Sequence, residues 1–298
     1  MKVLNFGSLN LDYVYSVEHI VQPGETISST RLEVFPGGKG LNQSVALARA
    51  GVEVCHAGNI GADGGLLLQS CQENGVDTRH IRQVKERSGN AIIQVSAEGQ
   101  NSIVLFGGAN RANEKQHVDN VLAHFGKGDL LLLQNEINLL DYMVDKAAEK
   151  EMIIALNPSP YDSAVERCDL GKVDIFLLNE VEGGQITGCS DPEGILGCLG
   201  KKYPKAKTVL TLGKDGVAYG IGDAVYRHGI YDLPVVDTTA AGDTFTGYFL
   251  AAVTQDAAPQ AALELASLAS SLAVSRKGAV PSIPWKREVE EARSNLIP

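Results

Sequence analysis

The chain has 298 residues, a length typical of one large domain or two modest ones. Apolar residues make up 44% and charged residues 21%, which argues against a disordered or fibrous protein. The formal net charge is −10, so electrostatics does not favour binding to nucleic acid or to anionic lipid. Glycine is frequent and clustered, with 32 residues. Either these glycines relax turns, or some of them let the backbone approach a ligand closely.

Cysteine content and hydropathy indicate the cellular compartment of the protein. The cysteines are odd in number and widely spaced, with no C-x-x-C pair: Cys55, Cys71, Cys168, Cys189 and Cys198. This pattern argues against a disulfide framework and against a zinc site. The N-terminal segment lacks the apolar stretch of a signal peptide, and no segment has the length of apolar sequence that a membrane span needs. We therefore expect a cytoplasmic protein.

Short apolar runs alternate with helical patterns along most of the chain. The predicted strands cover residues 3–7, 130–134, 153–156, 174–178 and 208–212. The predicted helices cover residues 41–50, 139–150, 244–254 and 259–276. Strands that alternate with helices indicate right-handed βαβ units and a mainly parallel sheet covered by helices.

One stretch breaks this alternation. Residues 90–106 read as a β-hairpin that turns at Glu98-Gly99, and residues 13–17 and 29–35 also look like strands without following helices. Together they predict a small antiparallel sheet beside the main one. No linker, charge block or repeat separates the pieces. We therefore expect one α/β domain over residues 1–298, with a discontinuous β lid from about residues 12–17, 29–36 and 90–106.

The densest glycine cluster is residues 36–44, PGGKGLNQS, which leads into a predicted helix. It combines backbone N–H groups with the cation of Lys39 and the amide of Asn42, a combination that suits hydroxyls or an anion. A flexible loop with a helix cap is the plainer alternative. The spacing is not that of a Walker A loop, and no G-x-G-x-x-G follows the first strand, so neither a P-loop nor a dinucleotide fold is supported.

A second cluster, residues 237–247 with the sequence DTTAAGDTFTG, also enters a predicted helix. The small residues before Asp243 leave successive amides uncovered at a helix N-terminus, where negative charge is favoured. Such amides can stabilise a phosphoryl group in its transition state, and Asp243 would stand beside it to accept a proton. The alternative is that Asp243 only caps the helix.

Residues 37–51 and 237–250 resemble the two signature motifs of the PfkB carbohydrate-kinase family, and the match is closest to its ribokinase-like members. The resemblance runs from Met1 to about Trp285. Further matching stretches, in chain order, are residues 7–12, 107–110, 131–136, 155–158, 178–182, 211–213 and 276–285. The resemblance implies a ribokinase-like α/β fold, with a central mainly parallel sheet flanked by helices and a small β-sheet lid over the substrate.

The resemblance also implies ATP-dependent phosphoryl transfer to a hydroxyl of a small sugar, with ribose the first expectation. Asp243 matches the catalytic base. The anion hole matches Ala240, Ala241 and Gly242. The sugar-binding set matches Asn10, Asp12, Gly38, Lys39, Asn42 and Glu136. Leu41 replaces the usual alanine beside this set, which leaves open another sugar or a nucleoside as acceptor; a non-catalytic sugar-binding protein is a further alternative.

The remaining implied roles concern the nucleotide and metal ions. Nucleotide binding matches Asn179, Thr211, Gly213 and Gly216. Asn179 and Glu182 match an N-x-x-E motif that organises Mg²⁺ and its waters, although locally the same residues predict a capped helix start. Activation by K⁺, mostly through carbonyl oxygens, matches Asp237, Thr239, Ala273, Arg276, Gly278 and Ser282. The family resemblance also implies a homodimer formed through the lid.

Overall fold

The computed structural model describes residues 1–296, so the last two residues of the predicted domain lie outside the described part. The strands are β1 (Val3–Phe6), β2 (Asn10–Val17), β3 (Arg31–Gly37), β4 (Val54–Ile60), β5 (Asp77–Gln83), β6 (Gly89–Ser96), β7 (Asn101–Phe106), β8 (Leu130–Gln134), β9 (Ile153–Asn157), β10 (Ile175–Asn179), β11 (Lys207–Thr211), β12 (Val217–Ile221) and β13 (Ala224–His228). The helices are α1 (Lys39–Arg49), α2 (Gly65–Glu73), α3 (Lys115–Leu122), α4 (Leu140–Glu149), α5 (Ser163–Glu166), α6 (Glu180–Thr187), α7 (Pro192–Lys202), α8 (Ala241–Thr254), α9 (Pro259–Val274) and α10 (Lys286–Leu296).

The main sheet has nine strands in the order β13-β12-β11-β10-β9-β8-β1-β4-β5. Its strands run parallel from β11 to β5, and β12 and β13 are antiparallel at one edge. The predicted mainly parallel sheet is therefore confirmed. Strand β8 shows why its sequence is apolar throughout: Leu130 and Leu132 belong to the core on one face, and Leu131 and Leu133 belong to the core on the other.

Strand β1 is the switch point of this sheet. It lies between β8 and β4, so the chain leaves β1 toward one edge and later returns on its other side. In open parallel sheets, ligands bind outside the carboxyl ends of the strands at such a point. The segments that follow β1, β8, β9 and β10 carry Ser8, Glu136, Ser159 and Glu182, so the topology brings these residues to one edge.

The predicted lid is a separate four-stranded sheet in the order β3-β2-β6-β7. The hairpin β6–β7 is confirmed, and its turn places Gly99 at a φ of 81°. Strands β2 and β3 also pair antiparallel, but β2 and β6 run parallel. This differs from the purely antiparallel sheet that we expected. The reason is that β2 follows β1 and β6 follows β5, so both strands leave the carboxyl edge of the main sheet in the same direction.

Helices α1 and α8 approach each other closely at Gly247. A Cβ at this position would lie 2.3 Å from the Cβ of Ala46 and 2.8 Å from the backbone N of Leu47. These helices carry the two clusters that the sequence singled out, so their close packing sets the distance between them.

We expect Gly247→Ala to lower the free energy of unfolding by about 1–3 kcal/mol, because the added methyl group overpacks a contact that includes backbone. Gly197→Ala is the matched control, since Gly197 lies exposed within α7 and a Cβ there meets nothing within 4 Å. That substitution is expected to stabilise the protein by up to about 1 kcal/mol. Urea unfolding of both variants measures the difference, and equal effects would contradict the close packing.

Within residues 1–296, the structure contains no helix with the length and apolar character that crossing a membrane requires.

Candidate active site

The glycine cluster before α1 is packed against the segment that follows β1. Gly38 adopts a φ of 92°, and a Cβ on Gly40 would lie 2.3 Å from the backbone N of Ser8. The Gly40 N–H donates to Ser8 Oγ at 3.1 Å, and the Leu41 N–H donates to the Ser8 carbonyl at 2.9 Å. The glycines therefore permit close approach, and at Gly40 the group that approaches is the protein's own backbone.

The structure brings the predicted sugar-binding side chains together around this loop. Glu136 Oε2 accepts hydrogen bonds from Ser8 Oγ and, at 3.1 Å, from the Lys39 N–H. A Cβ on Gly37 would lie 2.0 Å from Asp12 Oδ2, so a glycine is needed where the Asp12 carboxylate crosses the chain. These contacts place Asp12, Lys39 and Glu136 in one polar cluster.

Asn10 and Asn42 occupy buried positions at the same cluster. Asn10 Oδ1 accepts a hydrogen bond from Asn110 Nδ2 at 2.7 Å, and Asn110 Oδ1 accepts the Leu9 N–H at 3.0 Å. Asn42 Oδ1 is buried and has no hydrogen-bond partner in the described part of the chain. A buried amide oxygen without a partner is costly, and a ligand hydroxyl would supply the missing donor.

Leu41, which we expected to add bulk beside the sugar site, is fully buried in the hydrophobic core. It contacts this core on the side of α1 that faces the main sheet and α8, and it does not line either of the cavities described below.

Electrostatic coupling ties these groups to Asp243. Burial, together with the negative charges of Glu136 and Asp243, raises the pKa of Asp12 to about 7. Burial acts to lower the pKa of Lys39, but the negative charges of Asp243, Glu136 and Glu182 outweigh it and raise that pKa. Lys39 is therefore a firmly protonated cation among carboxylates from three different parts of the chain.

Asp243 lies in the first turn of α8 and is 8% exposed. Its Oδ2 accepts a hydrogen bond from Asn42 Nδ2 at 3.0 Å, and its Oδ1 accepts one from Gln43 Nε2 at 2.8 Å. Both donors belong to α1 and not to the first turn of α8. The Asp243 carboxylate therefore does more than cap its own helix. Sequence reasoning assigned no role to Gln43, and its place beside Asn42 in the glycine cluster was the only signal.

The predicted anion hole opens into a cavity of about 220 Å³. Ala240 adopts a left-handed conformation with a φ of 58° before α8 begins. The first-turn N–H groups of a helix lack partners within the helix and are available to an anion. The predicted site residues that line the cavity are Lys39, Asn179, Glu182, Thr211, Ala240, Ala241, Gly242 and Asp243.

A second cavity of about 350 Å³ adjoins the first and shares Thr211, Ala241 and Gly242 with it. The other predicted nucleotide residues, Gly213 and Gly216, line it. Most of its wall is apolar and comes from residues that the sequence analysis missed: Val217, Ile230, Tyr231, Leu233, Val235, Phe245 and Val274. Ile230, Tyr231, Leu233 and Val235 lie in the loop between β13 and α8, which has no periodic pattern that would have revealed them, and the other three come from β12, α8 and α9. A flat apolar group and an attached anion would fit the paired cavities.

The N-x-x-E segment forms the capped helix start that its local sequence predicts. The Asn179 N–H donates to Glu182 Oε2 at 2.9 Å, and Asn179 Oδ1 accepts the Glu182 N–H at 3.0 Å. Both residues also line the 220 Å³ cavity. Because the Glu182 carboxylate is held by Asn179 and retains free lone pairs, it suits the waters of a metal ion rather than a bare metal contact.

Asp237 connects the loop before α8 with the turn after α9. Its Oδ1 accepts hydrogen bonds from the N–H and Oγ1 of Thr239 at 2.9 and 2.6 Å, and its Oδ2 accepts the Gly278 N–H at 2.9 Å. Burial alone would raise the pKa of Asp237, but these hydrogen bonds outweigh burial and lower that pKa. The guanidinium of Arg276 pairs with Glu288 at 2.8 Å. Because this group is itself a cation, only the backbone carbonyl of Arg276 could bind K⁺.

The raised pKa of Asp12 predicts a pH dependence of stability. Its carboxyl titrates near pH 7 when folded and near 4 when unfolded, so the folded state binds the extra proton between these values. The contribution of Asp12 to the free energy of unfolding therefore falls as pH rises from about 4 to about 7, by up to about 4 kcal/mol. We expect Asp12→Asn to abolish this fall in urea unfolding across the range. Asp223→Asn, at an exposed position, is the control; if Asp12→Asn kept the wild-type slope, the coupling would be wrong.

Comparison with known proteins shows the family to which the chain belongs. The sequence profile described as pfkB family carbohydrate kinase matches residues 1–286. Haemophilus influenzae ribokinase is 34% identical over 295 residues, 96% of each chain, and Bacillus subtilis ribokinase is 34% identical over 292 residues, 97% of this chain and 98% of that one. The structure of Arabidopsis thaliana ribokinase complexed with ribose and ATP superposes with a TM-score of 0.86 at 29% identity, covering 97% of each chain. The chain belongs to the pfkB family of carbohydrate kinases.

Proposed function

We propose that this chain is a ribose kinase that transfers the γ-phosphate of ATP to a hydroxyl of the sugar. One observation carries the proposal: the Asp243 carboxylate lies between the polar sugar-binding cluster and the cavity below the anion hole. It accepts a hydrogen bond from Asn42 of the cluster at 3.0 Å and also lines that cavity. The full-length similarity to ribokinases supports ribose as the acceptor.

Asp243 acts as the general base. It removes the proton from the attacking sugar hydroxyl, which then attacks the γ-phosphate. The carboxylate is kept in place by two amide donors and stays close to Lys39, whose cation compensates the charge of the phosphate oxygens. The N–H groups of Ala240, Ala241 and Gly242 stabilise the negative charge that the transferring phosphoryl group carries.

ATP occupies the two adjoining cavities, with its base against the apolar wall near Tyr231 and Val235 and its phosphates toward Gly242. A bound Mg²⁺ would supply positive charge that compensates the phosphate oxygens. Asn179 and Glu182 hold the waters of that ion, a role that their position on the cavity wall and their mutual hydrogen bonds support.

K⁺ activates the enzyme in this proposal. The backbone around Asp237, Thr239 and Gly278 is already joined by the Asp237 carboxylate, next to the loop that forms the anion hole. Carbonyl oxygens of this backbone would hold the ion, whose charge would order that loop. The other residues of the predicted K⁺ site are Ala273, Arg276 and Ser282.

The enzyme is also a homodimer through its lid. In the lid register, Tyr13 stands opposite Val34 and Ile92, and Ile92 stands opposite Val104, so these residues form one row across four strands. Val34, Ile92 and Val104 are exposed. Asp12 is adjacent to Tyr13 and therefore points to the other face, toward the sugar. A second copy of this face would cover the apolar row.

We place the enzyme in the cytoplasm, where ATP is available and thiols remain reduced. All five cysteines of the chain are free in the structure.

Asp243→Asn tests the catalytic role. Loss of the base is expected to reduce kcat by about 100-fold or more while ribose still binds, because the amide keeps the size of the side chain. ATP consumption measures the first quantity, and calorimetric titration with ribose measures the second. Asp223→Asn controls for a change of net charge. Unchanged phosphoryl transfer in Asp243→Asn would refute the mechanism and favour another base.

An acceptor screen tests the substrate. We expect ATP consumption with ribose at a kcat/KM at least about tenfold above deoxyribose, fructose and adenosine, and a higher rate in K⁺ than in Na⁺. Activity only with nucleosides would replace the proposal by a nucleoside kinase, and binding of sugar without turnover would indicate a non-catalytic protein. Equal rates in K⁺ and Na⁺ would remove the cation from the proposal.

A further inference from the structure

Gln43 has no assigned role, yet it touches the base directly. We propose that Gln43 is a positioning residue that fixes the Asp243 carboxylate, and that Gln134 sets the orientation of the Gln43 amide. The inference rests on the proposed function, in which Asp243 accepts the proton. It adds two buried amides that form no part of the sugar, nucleotide or cation sets.

Both protons of the Gln43 amide are engaged. Nε2 donates to Asp243 Oδ1 at 2.8 Å and to Asn157 Oδ1 at 3.3 Å. The carbonyl of the amide must therefore point the other way, and there Gln43 Oε1 accepts a hydrogen bond from Gln134 Nε2 at 2.7 Å. If this donor were absent, the Gln43 amide could turn over and present its oxygen to the carboxylate.

The orientation of Gln134 is set in turn by Asn5. Gln134 Nε2 donates its second proton to Asn5 Oδ1 at 2.9 Å, and Asn5 Nδ2 donates to the Gly40 carbonyl at 2.7 Å and to Ser44 Oγ at 2.8 Å. Every amide in this chain of hydrogen bonds thus has one allowed orientation. Asn5 and Gln134 are fully buried, so water does not offer alternative partners.

The hydrogen-bond directions at the end of this series farthest from Asp243 are also defined. The Gly7 carbonyl beside His56 Nε2 can only accept, so a neutral His56 ring carries its proton on Nε2, and the Ser44 hydroxyl donates to His56 Nδ1 at 2.8 Å. Burial lowers the pKa of His56 to about 4, so the ring is neutral and can accept at Nδ1. Its Nε2–H then faces the Gly7 carbonyl at 3.3 Å. The hydrogen-bond directions are therefore consistent from His56 to Asp243.

These hydrogen bonds fix the orientation of the Asp243 carboxylate. Asn42 holds one carboxylate oxygen of Asp243 and Gln43 holds the other, so the carboxylate cannot rotate about its Cβ–Cγ bond without losing both. A base must lie within hydrogen-bond reach of the proton that it removes, and small displacements of a catalytic group reduce the rate strongly.

Other charged groups act on Asp243 in the wild type and in any variant of Gln43. Lys39 of α1 and Asp12 of β2 are electrostatically coupled with it, Glu136 after β8 is coupled with both of these residues, and Glu182 of α6 lines the same cavity. These groups stay unchanged in the experiment, so a change in the pH profile reports the group at position 43.

Gln43→Glu is the decisive variant, because it keeps the shape and replaces the donor by a second carboxyl group. Two carboxylates at this distance cannot both ionise easily, so protonation persists to higher pH. We expect the acidic limb of the kcat–pH profile to move up by about one pH unit or more, with activity recovering as pH rises. At pH 7, kcat is expected to fall at least about tenfold, while the KM for ATP changes little.

Asn59→Asp is the matched control. Asn59 is an equally buried amide, but its partners are Asn113 and Arg82 rather than Asp243. It is expected to lower stability without moving the pH limb. If the acidic limb of the kcat–pH profile of Gln43→Glu lay at the same pH as in the wild type, the inference would be overturned and the proposed function would stand. A wild-type chain inactive on every acceptor would refute the proposed function and the inference with it.

Gln134→Met provides a second measurement if Gln43→Glu does not fold. It removes the donor to Gln43 Oε1 and leaves the contact with Asp243 formally possible. We expect kcat to fall about tenfold with the KM for ATP unchanged. Reduced thermal stability with wild-type kcat would mean that Gln134 is only structural and would overturn its part of the inference.

Discussion

The contact between the N-terminal turns of α1 and α8 is the constraint on which the site depends. Asn42 and Gln43 of α1 each donate a hydrogen bond to the carboxylate of Asp243 in α8. This contact requires the two helix starts to meet at one edge of the sheet, and the close packing at Gly247 keeps them together. The α1 members of the predicted sugar-binding set and the predicted anion hole at the start of α8 are thus held next to each other by direct contacts.

A concentration of like charge is the second physical feature of the site. Glu136, Glu182 and Asp243 act on the cation of Lys39 and raise its pKa, whereas burial first and then the charges of Glu136 and Asp243 raise the pKa of Asp12. Such a site gives an anionic nucleotide no general attraction. In the proposed function, binding of ATP therefore depends on local groups, namely the first-turn amides of α8 and a metal ion, which agrees with the acidic composition of the whole chain.

Most of the fold and the polar half of the site could be predicted from the sequence. Strand β8 has the predicted bounds, and its four consecutive leucines suit a strand that is buried on both faces. The parallel pairing of β2 with β6 could not be predicted, because local patterns do not tell which distant strands pair. The apolar cavity wall around Ile230 and Val235 was missed for a similar reason: its residues come from an aperiodic loop and from helix faces that meet only in the folded chain.

The sequence by itself determined the residue types of the chemistry: Asp243 after three small residues, Lys39 and Asn42 among glycines, and the alternation that gives a parallel sheet. Only the tertiary structure decided what these residues touch. It made Gln43 a partner of Asp243, made Gly40 a contact for Ser8, and oriented a buried series of amides that ends at His56. Hydrogen-bond direction depends on neighbours from five separate segments, and no local pattern in the sequence encodes it.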